Sequence, residues 1–250
     1  MSTIEAIGFD FFNTLITVEP PAMGEAFRRL TASLQTNGLV FDSEIFLQVH
    51  KEAAIRLIKE TKVDGRETHN RFWISAALNA LGQTIPPDDP LIAEAVTAYF
   101  SAFFDYCRLI PGTIEMLEKL RGEYKLGLLS NFTHAPAAKD LLAGMGLNPY
   151  FDTVLISGEI GFRKPHPLVF EMLANKLGSE RDTILYVGDD PDPDILGAQQ
   201  AGLRPIWMTY VRDHHLPVVP GYLKEQGQDL QLEVPRVSRW EEFLSFLGRK

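Results

Sequence analysis

The order of apolar and polar positions predicts two kinds of segment in this chain of 250 residues. Residues 4–9 are apolar and β-branched enough for a buried strand, and Asn13 and Thr14 then break the pattern. Further on, apolar side chains recur every three or four positions, which is the spacing of one face of a helix. This spacing predicts a block of four helices without a strand, over residues 22–36, 42–62, 67–81 and 90–106.

From residue 111 onward, predicted helices alternate with short apolar strands, which indicates right-handed βαβ units and a buried parallel sheet. The strand over residues 4–9 must join this sheet, because alone it has nothing to pair with. The prediction is an α/β fold with a Rossmann-like, three-layer core over 1–17 and 108–250 and an all-helical insertion over 18–107. The predicted strands are 125–129, 153–157, 183–187 and 205–209, the predicted helices are 113–120, 135–145, 167–177, 193–201 and 240–247, and residues 213–231 are predicted to be irregular.

Composition limits the partners of this chain. Hydrophobic residues make up 45% and charged residues 23%, as in an ordinary globular protein. The formal net charge of -9 argues against binding to nucleic acid or to an anionic membrane surface. Cys107 is the single cysteine, which excludes an intrachain disulfide and a zinc–thiolate cluster. The sequence contains no evident signal peptide or membrane span, so we expect the cytoplasm as its location.

Polar side chains stand just past the predicted strands, where an open parallel sheet binds its ligands. Oxygen donors of this kind suit Mg²⁺, which would offset the repulsion between a carboxylate nucleophile and an anionic substrate. A lysine and a serine could bind the other oxygens of a phosphoryl group. The side chains are three carboxylates, a hydroxyl, an amide and an ammonium: Asp10, Ser130, Asn131, Lys164, Asp189 and Asp194.

At these positions the chain resembles the haloacid dehalogenase superfamily. The resemblance rests on four motifs in the family's order, and it extends across the predicted sheet core. It implies that the helical insertion is the family's cap, which closes over the site and selects the substrate. The four motifs occupy residues 9–15 (FDFFNTL), 129–131 (LSN), 161–165 (GFRKP) and 187–194 (VGDDPDPD).

The resemblance also implies roles for individual residues. Asp10 would attack the substrate to form a covalent aspartyl intermediate, which water would cleave. Ser130, Asn131 and Lys164 would bind the transferring group of a small phosphorylated or otherwise anionic substrate. Asp10 and Asp189 would bind Mg²⁺ directly, together with the backbone carbonyl of Phe12. By the same resemblance, Asp194 would bind the ion through water or orient Lys164.

Phe12 departs from the pattern of the family's phosphatases, which carry an aspartate there to protonate the leaving group and activate water. Such a group is typically worth about 10² to 10⁴ in rate, or roughly 3 to 5 kcal/mol of barrier. Substrates with good leaving groups would lose less. The family's dehalogenases carry a tyrosine at this position, which favours a 2-haloacid dehalogenase, but they lack the metal and have a small hydroxyl residue in place of Asp189. A carboxylate beside Asp10 and Asp194 is unfavourable without a cation, so we favour the phosphatase.

Other hypotheses stay open at this point. The chain could have lost turnover and bind a ligand or partner through an intact pocket. It could belong to the superfamily's phosphonate branch, which uses a cap lysine as a Schiff base, although nothing selects one among Lys51, Lys59 and Lys62. His134 and His166 are candidates to replace the acid that is missing at residue 12.

Overall fold

The computed structural model describes residues 3–217 and 233–248. Within them, six strands form a parallel sheet in the order β5-β4-β1-β6-β7-β8. The first strand lies at the centre of this sheet, between β4 and β6, which confirms that it joins the later strands. The strands are β1 (Ala6–Phe9), β2 (Ile16–Val18), β3 (Cys107–Leu109), β4 (Lys125–Ser130), β5 (Thr153–Ile156), β6 (Ile184–Gly188), β7 (Arg204–Met208) and β8 (Arg236–Val237).

Most predicted helices are confirmed. The predicted helix over 193–201 differs, because it begins as a π-helical turn over Pro191–Leu196. The short helices Ser157–Ile160 and Tyr210–Asp213 and the strand β8 were not predicted, since they are too brief to show a periodic pattern. None of the helices within the described ranges is long and apolar enough to cross a membrane. The α-helices are α1 (Ala22–Thr36), α2 (Ser43–Lys62), α3 (Asn70–Ala80), α4 (Pro90–Tyr106), α5 (Thr113–Leu120), α6 (Ala135–Gly144), α7 (Ser157–Ile160), α8 (Pro167–Leu177), α9 (Gly197–Gln200), α10 (Tyr210–Asp213) and α11 (Trp240–Phe246).

The central strand packs against helices on both faces of the sheet. Ile7 and Phe9 belong to the apolar cluster formed with α5, α6 and α11. Ala6 points to the opposite cluster, which includes residues of α8 and α9. Because side chains alternate along a strand, one four-residue strand can join both layers. This arrangement confirms the predicted α/β fold with a sheet between two helical layers.

The helices over 22–106, called the helical insertion below, stand between β2 and β3. In the insertion, α1 packs on α4 and α2 packs on α3. An antiparallel ribbon joins its two ends, with Ile16 opposite Leu109 and Val18 opposite Cys107. This ribbon was not predicted from the sequence, because three-residue strands are too short for an alternating pattern. The predicted domain boundaries fall inside these two strands, so the ribbon is the connection between insertion and sheet. Of the segment predicted to be irregular, residues 218–231 lie outside the described residues.

Candidate active site

The carboxyl ends of β1, β4 and β6 bring most of the predicted site residues to one edge of the sheet. Asp10 follows β1 directly, and its backbone N–H donates to the carbonyl of Val187 at 2.9 Å. Ser130 is the last residue of β4 and is buried. Asp10, Asp189 and Asp194 each present a carboxylate oxygen within 4.8 Å of the others. The three carboxylates, which come from the first and the fourth motif, therefore form one cluster.

Lys164 reaches this cluster from the loop before α8 and pairs with two of the carboxylates. Its Nζ lies 2.6 Å from Oδ1 of Asp10 and 2.7 Å from Oδ1 of Asp194. The lysine side chain is only 2% exposed, so neither ion pair is screened by water. Three carboxylates with one ammonium leave an excess of negative charge, which a cation could balance.

Burial and nearby charges shift the pKa values of Asp10 and Lys164. Burial raises the pKa of Asp10 to about 6; Lys164 opposes the shift, and the charge of Asp194 adds to it. Burial lowers the pKa of Lys164, but Asp10 and Asp194 raise it by more, so that the pKa lies well above its ordinary value. The lysine is therefore a cation at neutral pH, beside a carboxylate of raised pKa.

Asn131 contacts the backbone of Lys164 on both sides. Its Nδ2 donates to the carbonyl of Lys164 at 3.0 Å, and its Oδ1 accepts from the backbone N–H of Lys164 at 2.8 Å. These two bonds tie the loop after β4 to the loop that carries the lysine. The contacts made by Asn131 therefore orient Lys164.

Asp194 and Asp189 are held in different ways. In Asp194, Oδ1 faces Lys164 and Oδ2 accepts from the backbone N–H of Asp190 at 2.9 Å. A Cβ atom on Gly188 would lie 2.5 Å from the Asp194 side chain, so only glycine allows this close approach. The backbone carbonyl of Asp189 accepts from the indole Nε1 of Trp207 at 2.9 Å. Both oxygens of Asp194 are thus engaged, which suits orientation of Lys164 better than direct metal binding.

The Phe12 side chain belongs to an aromatic cluster that spans the insertion and the core. Its ring stacks on Phe132 at a centroid distance of 4.9 Å and meets Phe103 of α4 edge-on at 6.2 Å. Phe12 is 6% exposed. A phenyl ring has no proton to donate, so no acid or base stands where the family's phosphatases carry one.

The two histidine candidates for the missing acid are committed to other contacts. His69 Nδ1 accepts from the backbone N–H of Arg71 at 3.1 Å, so its proton is on Nε2, which donates to Nδ1 of His134 at 3.1 Å. Burial lowers the pKa of His134, and it lowers that of His69 to about 4. His166 caps α8, where its Nδ1 accepts from the backbone N–H of Leu168 at 3.2 Å. Neither His134 nor His166 contacts the carboxylate cluster in any hydrogen bond of the described residues.

Two further residues near the site were not predicted from the sequence: Tyr186, which contacts Lys164, and Glu67, which pairs with Arg163, the residue before Lys164 in the chain. Glu67, from the insertion, accepts from Ser157 Oγ at 2.5 Å, and Ser157 Oγ accepts from the backbone N–H of Phe132 at 2.8 Å. Tyr186 lies inside β6, and its hydroxyl contacts Lys164. Glu67 resembles any polar residue of a helix start, so no local signal was available. Tyr186 had one, since a tyrosine inside a buried strand needs a partner for its hydroxyl.

The fold and the carboxylate–lysine cluster at the edge of its sheet define an α/β enzyme of the hydrolase class. The model of the haloacid dehalogenase-like hydrolases matches residues 4–202. The chain belongs to this family.

Similar proteins include phosphatases and dehalogenases. A glyceraldehyde 3-phosphate phosphatase from Methanopyrus kandleri is 32% identical over 80% of this chain and 82% of its own length. A ribulose-1,5-bisphosphate 5-phosphatase from Halopiger xanaduensis is 31% identical over 80% of this chain and 83% of its own. Among solved structures, a 2-haloacid dehalogenase from Pseudomonas syringae has a TM-score of 0.72 at 23% identity, over 98% of this chain and 99% of that one. At this identity, the solved structure supports the fold alone.

Proposed function

We propose that this chain is a Mg²⁺-dependent phosphatase that acts on small phosphorylated metabolites through an aspartyl-phosphate at Asp10. The observation that carries the proposal is the cluster of Asp10, Asp189 and Asp194, with oxygens within 4.8 Å of one another and Lys164 between two of them. A dehalogenase that works without metal has no need for a third carboxylate at this point. The phosphatases among the relatives support the same reaction.

In the proposed reaction, an oxygen of Asp10 attacks phosphorus and the bond from phosphorus to the leaving oxygen breaks. Lys164 and Ser130 bind the other phosphoryl oxygens, and Asn131 holds the Lys164 backbone in place. Water then attacks the aspartyl-phosphate, which releases phosphate and restores Asp10. The leaving oxygen takes its proton from water, because Phe12 offers none.

The residues fit a Mg²⁺ ion. Asp10, Asp189 and Asp194 offer carboxylate oxygens within 4.8 Å of one another, and hard oxygen donors of this kind are the ligands that Mg²⁺ prefers. Asp10 and Asp189 would bind directly, with the backbone carbonyl of Phe12, while Asp194 would act through water or through Lys164. When bound, the ion supplies positive charge that neutralises the phosphoryl oxygens and the nucleophile.

The proposed substrates are small phosphorylated metabolites with good leaving groups. The relatives are named for sugar phosphates, which are small anionic molecules but alkyl phosphates, so they support the size and charge of the substrate and not its leaving group. The absent acid favours acyl and aryl phosphates over alkyl phosphates. With a net charge of -9, a nucleic-acid partner is not expected.

A 2-haloacid dehalogenase is the second candidate function. An aromatic ring at residue 12 favours it. A halide leaves without a proton, so Phe12 would cost this reaction nothing. The phosphonate branch has less support, because Lys51, Lys59 and Lys62 are all exposed on α2 and the Nζ of Lys62 lies 3.8 Å from Asp192.

An assay of phosphate and halide release over a panel, in Mg²⁺ and in EDTA, tests these alternatives. We expect release of phosphate from acetyl phosphate and p-nitrophenyl phosphate in Mg²⁺, with a loss of at least about 10²-fold in EDTA. Halide release from a chloropropionate that persists in EDTA would instead indicate the dehalogenase. If no substrate turns over while Mg²⁺ still changes the fluorescence of Trp207, whose indole contacts Asp189, the chain is a binding protein.

Replacing Phe12 with aspartate is expected to raise turnover of alkyl phosphates more than that of aryl or acyl phosphates. The new carboxyl would supply the acid that alkoxide leaving groups need, so the alkyl-to-aryl rate ratio should rise by at least about 10-fold. The same change removes a ring stacked on Phe132 and buries a charge, so we expect stability to fall by about 3 kcal/mol or more. Rate ratios and thermal unfolding measure the two effects.

Phe12→Ala is the matched control, because it loses the ring without adding an acid. It should lower stability and leave the alkyl-to-aryl ratio at the wild-type value. If Phe12→Asp also leaves the ratio unchanged, Phe12 does not explain the leaving-group preference.

A further inference from the structure

Tyr186 lies directly beneath the lysine of the site. Its side chain is fully buried on β6, and its hydroxyl oxygen is 2.8 Å from Nζ of Lys164 and 2.9 Å from the carbonyl oxygen of Leu129. An ammonium can only donate, so the tyrosine hydroxyl accepts from Lys164 and gives its own hydrogen to Leu129. The direction of both hydrogen bonds is therefore determined.

The three N–H groups of Lys164 have three hydrogen-bond acceptors, which are Oδ1 of Asp10 at 2.6 Å, the carbonyl of Leu129 at 2.9 Å and the hydroxyl of Tyr186 at 2.8 Å. Oδ1 of Asp194 lies 2.7 Å from Nζ as an ion pair. Leu129 and Tyr186 lie on β4 and β6, which pair with β1 from either side, and both side chains belong to the same buried cluster, so their positions are fixed. Together with Oδ1 of Asp10, they determine where the three N–H groups of Lys164 point.

We propose that Tyr186 is a positioning residue for Lys164 in the reaction. The inference rests on the proposed phosphatase function, in which Lys164 stabilises charge on the transferring phosphoryl group. The hydroxyl limits the directions in which the ammonium can donate and keeps it at Oδ1 of Asp10. An ammonium that is free to tilt would still attract an anionic substrate, but it would match the transition state less well. Loss of the hydroxyl therefore lowers kcat rather than substrate binding.

The surroundings of the ring make a clean test possible. The Tyr186 ring packs edge-on against Phe170 at 5.3 Å, and a Cβ on Gly8 would lie 2.8 Å from it. A phenylalanine keeps the ring in this place. The Leu129 carbonyl keeps its hydrogen bond from Lys164 at 2.9 Å, so Tyr186→Phe leaves no buried carbonyl without a donor.

The experiment compares the wild type, Tyr186→Phe and Tyr150→Phe in steady-state kinetics with p-nitrophenyl phosphate and Mg²⁺. Tyr150 is the matched control, since its hydroxyl also donates a hydrogen bond, at 3.3 Å to Glu118, but on the surface beyond the other end of the sheet. For Tyr186→Phe we expect kcat to fall about 10-fold, as for loss of one hydrogen bond to a charged group, with KM within about 2-fold of the wild type. Tyr150→Phe should keep both constants.

Several outcomes overturn the proposal. A wild-type kcat in Tyr186→Phe shows that the hydroxyl does not act on the reaction. A rise in KM at constant kcat assigns it to ground-state binding, and a kcat loss that follows a large fall in unfolding temperature assigns it to folding. If the wild type itself releases no phosphate, the proposed function fails first, and the inference fails with it. If the wild type and Tyr186→Phe release phosphate equally fast, the proposed function stands and only the inference about Tyr186 fails.

Discussion

Asp10→Asn is expected to abolish phosphate release, by at least about 10⁴-fold, because the amide cannot attack phosphorus. The fold should survive the change. The carboxylate of Asp10 is buried, and burial raises its pKa to about 6, so the ionised form is held in the folded state at a cost. A neutral amide does not carry that cost, and Lys164 keeps its ion pair with Asp194. In EDTA at neutral pH, we therefore expect an unfolding temperature equal to or above that of the wild type.

Phosphate release and thermal unfolding measure these two effects. Asp88→Asn is a matched control, since Asp88 is an exposed carboxylate in the turn between α3 and α4 and should tolerate the same change. Residual activity within about 10-fold of the wild type would contradict a nucleophilic role for Asp10. A protein that no longer folds would contradict the electrostatic argument instead.

Lys164→Met is expected to remove activity and stability together. Without the ammonium, Asp10 and Asp194 stay buried, with no cation between them. Breaking a buried ion pair in this way costs about 3 to 5 kcal/mol, which is about 6 to 20 °C in unfolding temperature for a chain of this size. The missing charge on the transferring group should cost about 10³-fold in kcat. Thermal unfolding in EDTA and kinetics in Mg²⁺ measure both.

The double variant Asp10→Asn with Lys164→Met separates the two effects. It removes one of the two buried carboxylates that Lys164→Met leaves without a cation. It should therefore recover part of the stability that Lys164→Met loses, while staying inactive. Lys125→Met is the control for the lysine itself, because Lys125 is exposed and its Nζ contacts the Gly178 carbonyl at 3.1 Å. If Lys164→Met is as stable as the wild type, the ion pair is not a structural element of the site.

Most of the fold could be predicted from the sequence, because the spacing of apolar residues differs between strands and helices. The exceptions have specific physical causes. The helix predicted over 67–81 begins at Asn70, because the backbone N–H of Glu67 donates to the Gly161 carbonyl of the core at 2.9 Å instead of continuing a helix. The ribbon of β2 and β3 pairs residues about ninety positions apart, and three residues carry no alternation of their own.

The residues of the candidate site could be predicted from their positions at the ends of the predicted strands. Asp10, Ser130 and Asp189 stand at strand ends, and parallel strands bring those ends to one edge, so local order was enough to place them together. The surroundings of the Phe12 side chain could not be predicted from the sequence. Only the packing of α4 against the loop after β4 puts its ring between Phe103 and Phe132, where an acid would be costly.

The sequence by itself thus determined the α/β class, the family and the membership of the carboxylate cluster, since each follows from local motifs and from the ends of predicted parallel strands. The tertiary structure decided which groups touch. Lys164 and Asp10 are 154 positions apart, and Glu67 and Ser157 are 90 apart, yet each pair is in direct contact. The position of Tyr186 beneath Lys164 depends on the pairing of β6 with the central strand. Contacts of this kind arise when separate strands and loops pack, and no local period encodes them.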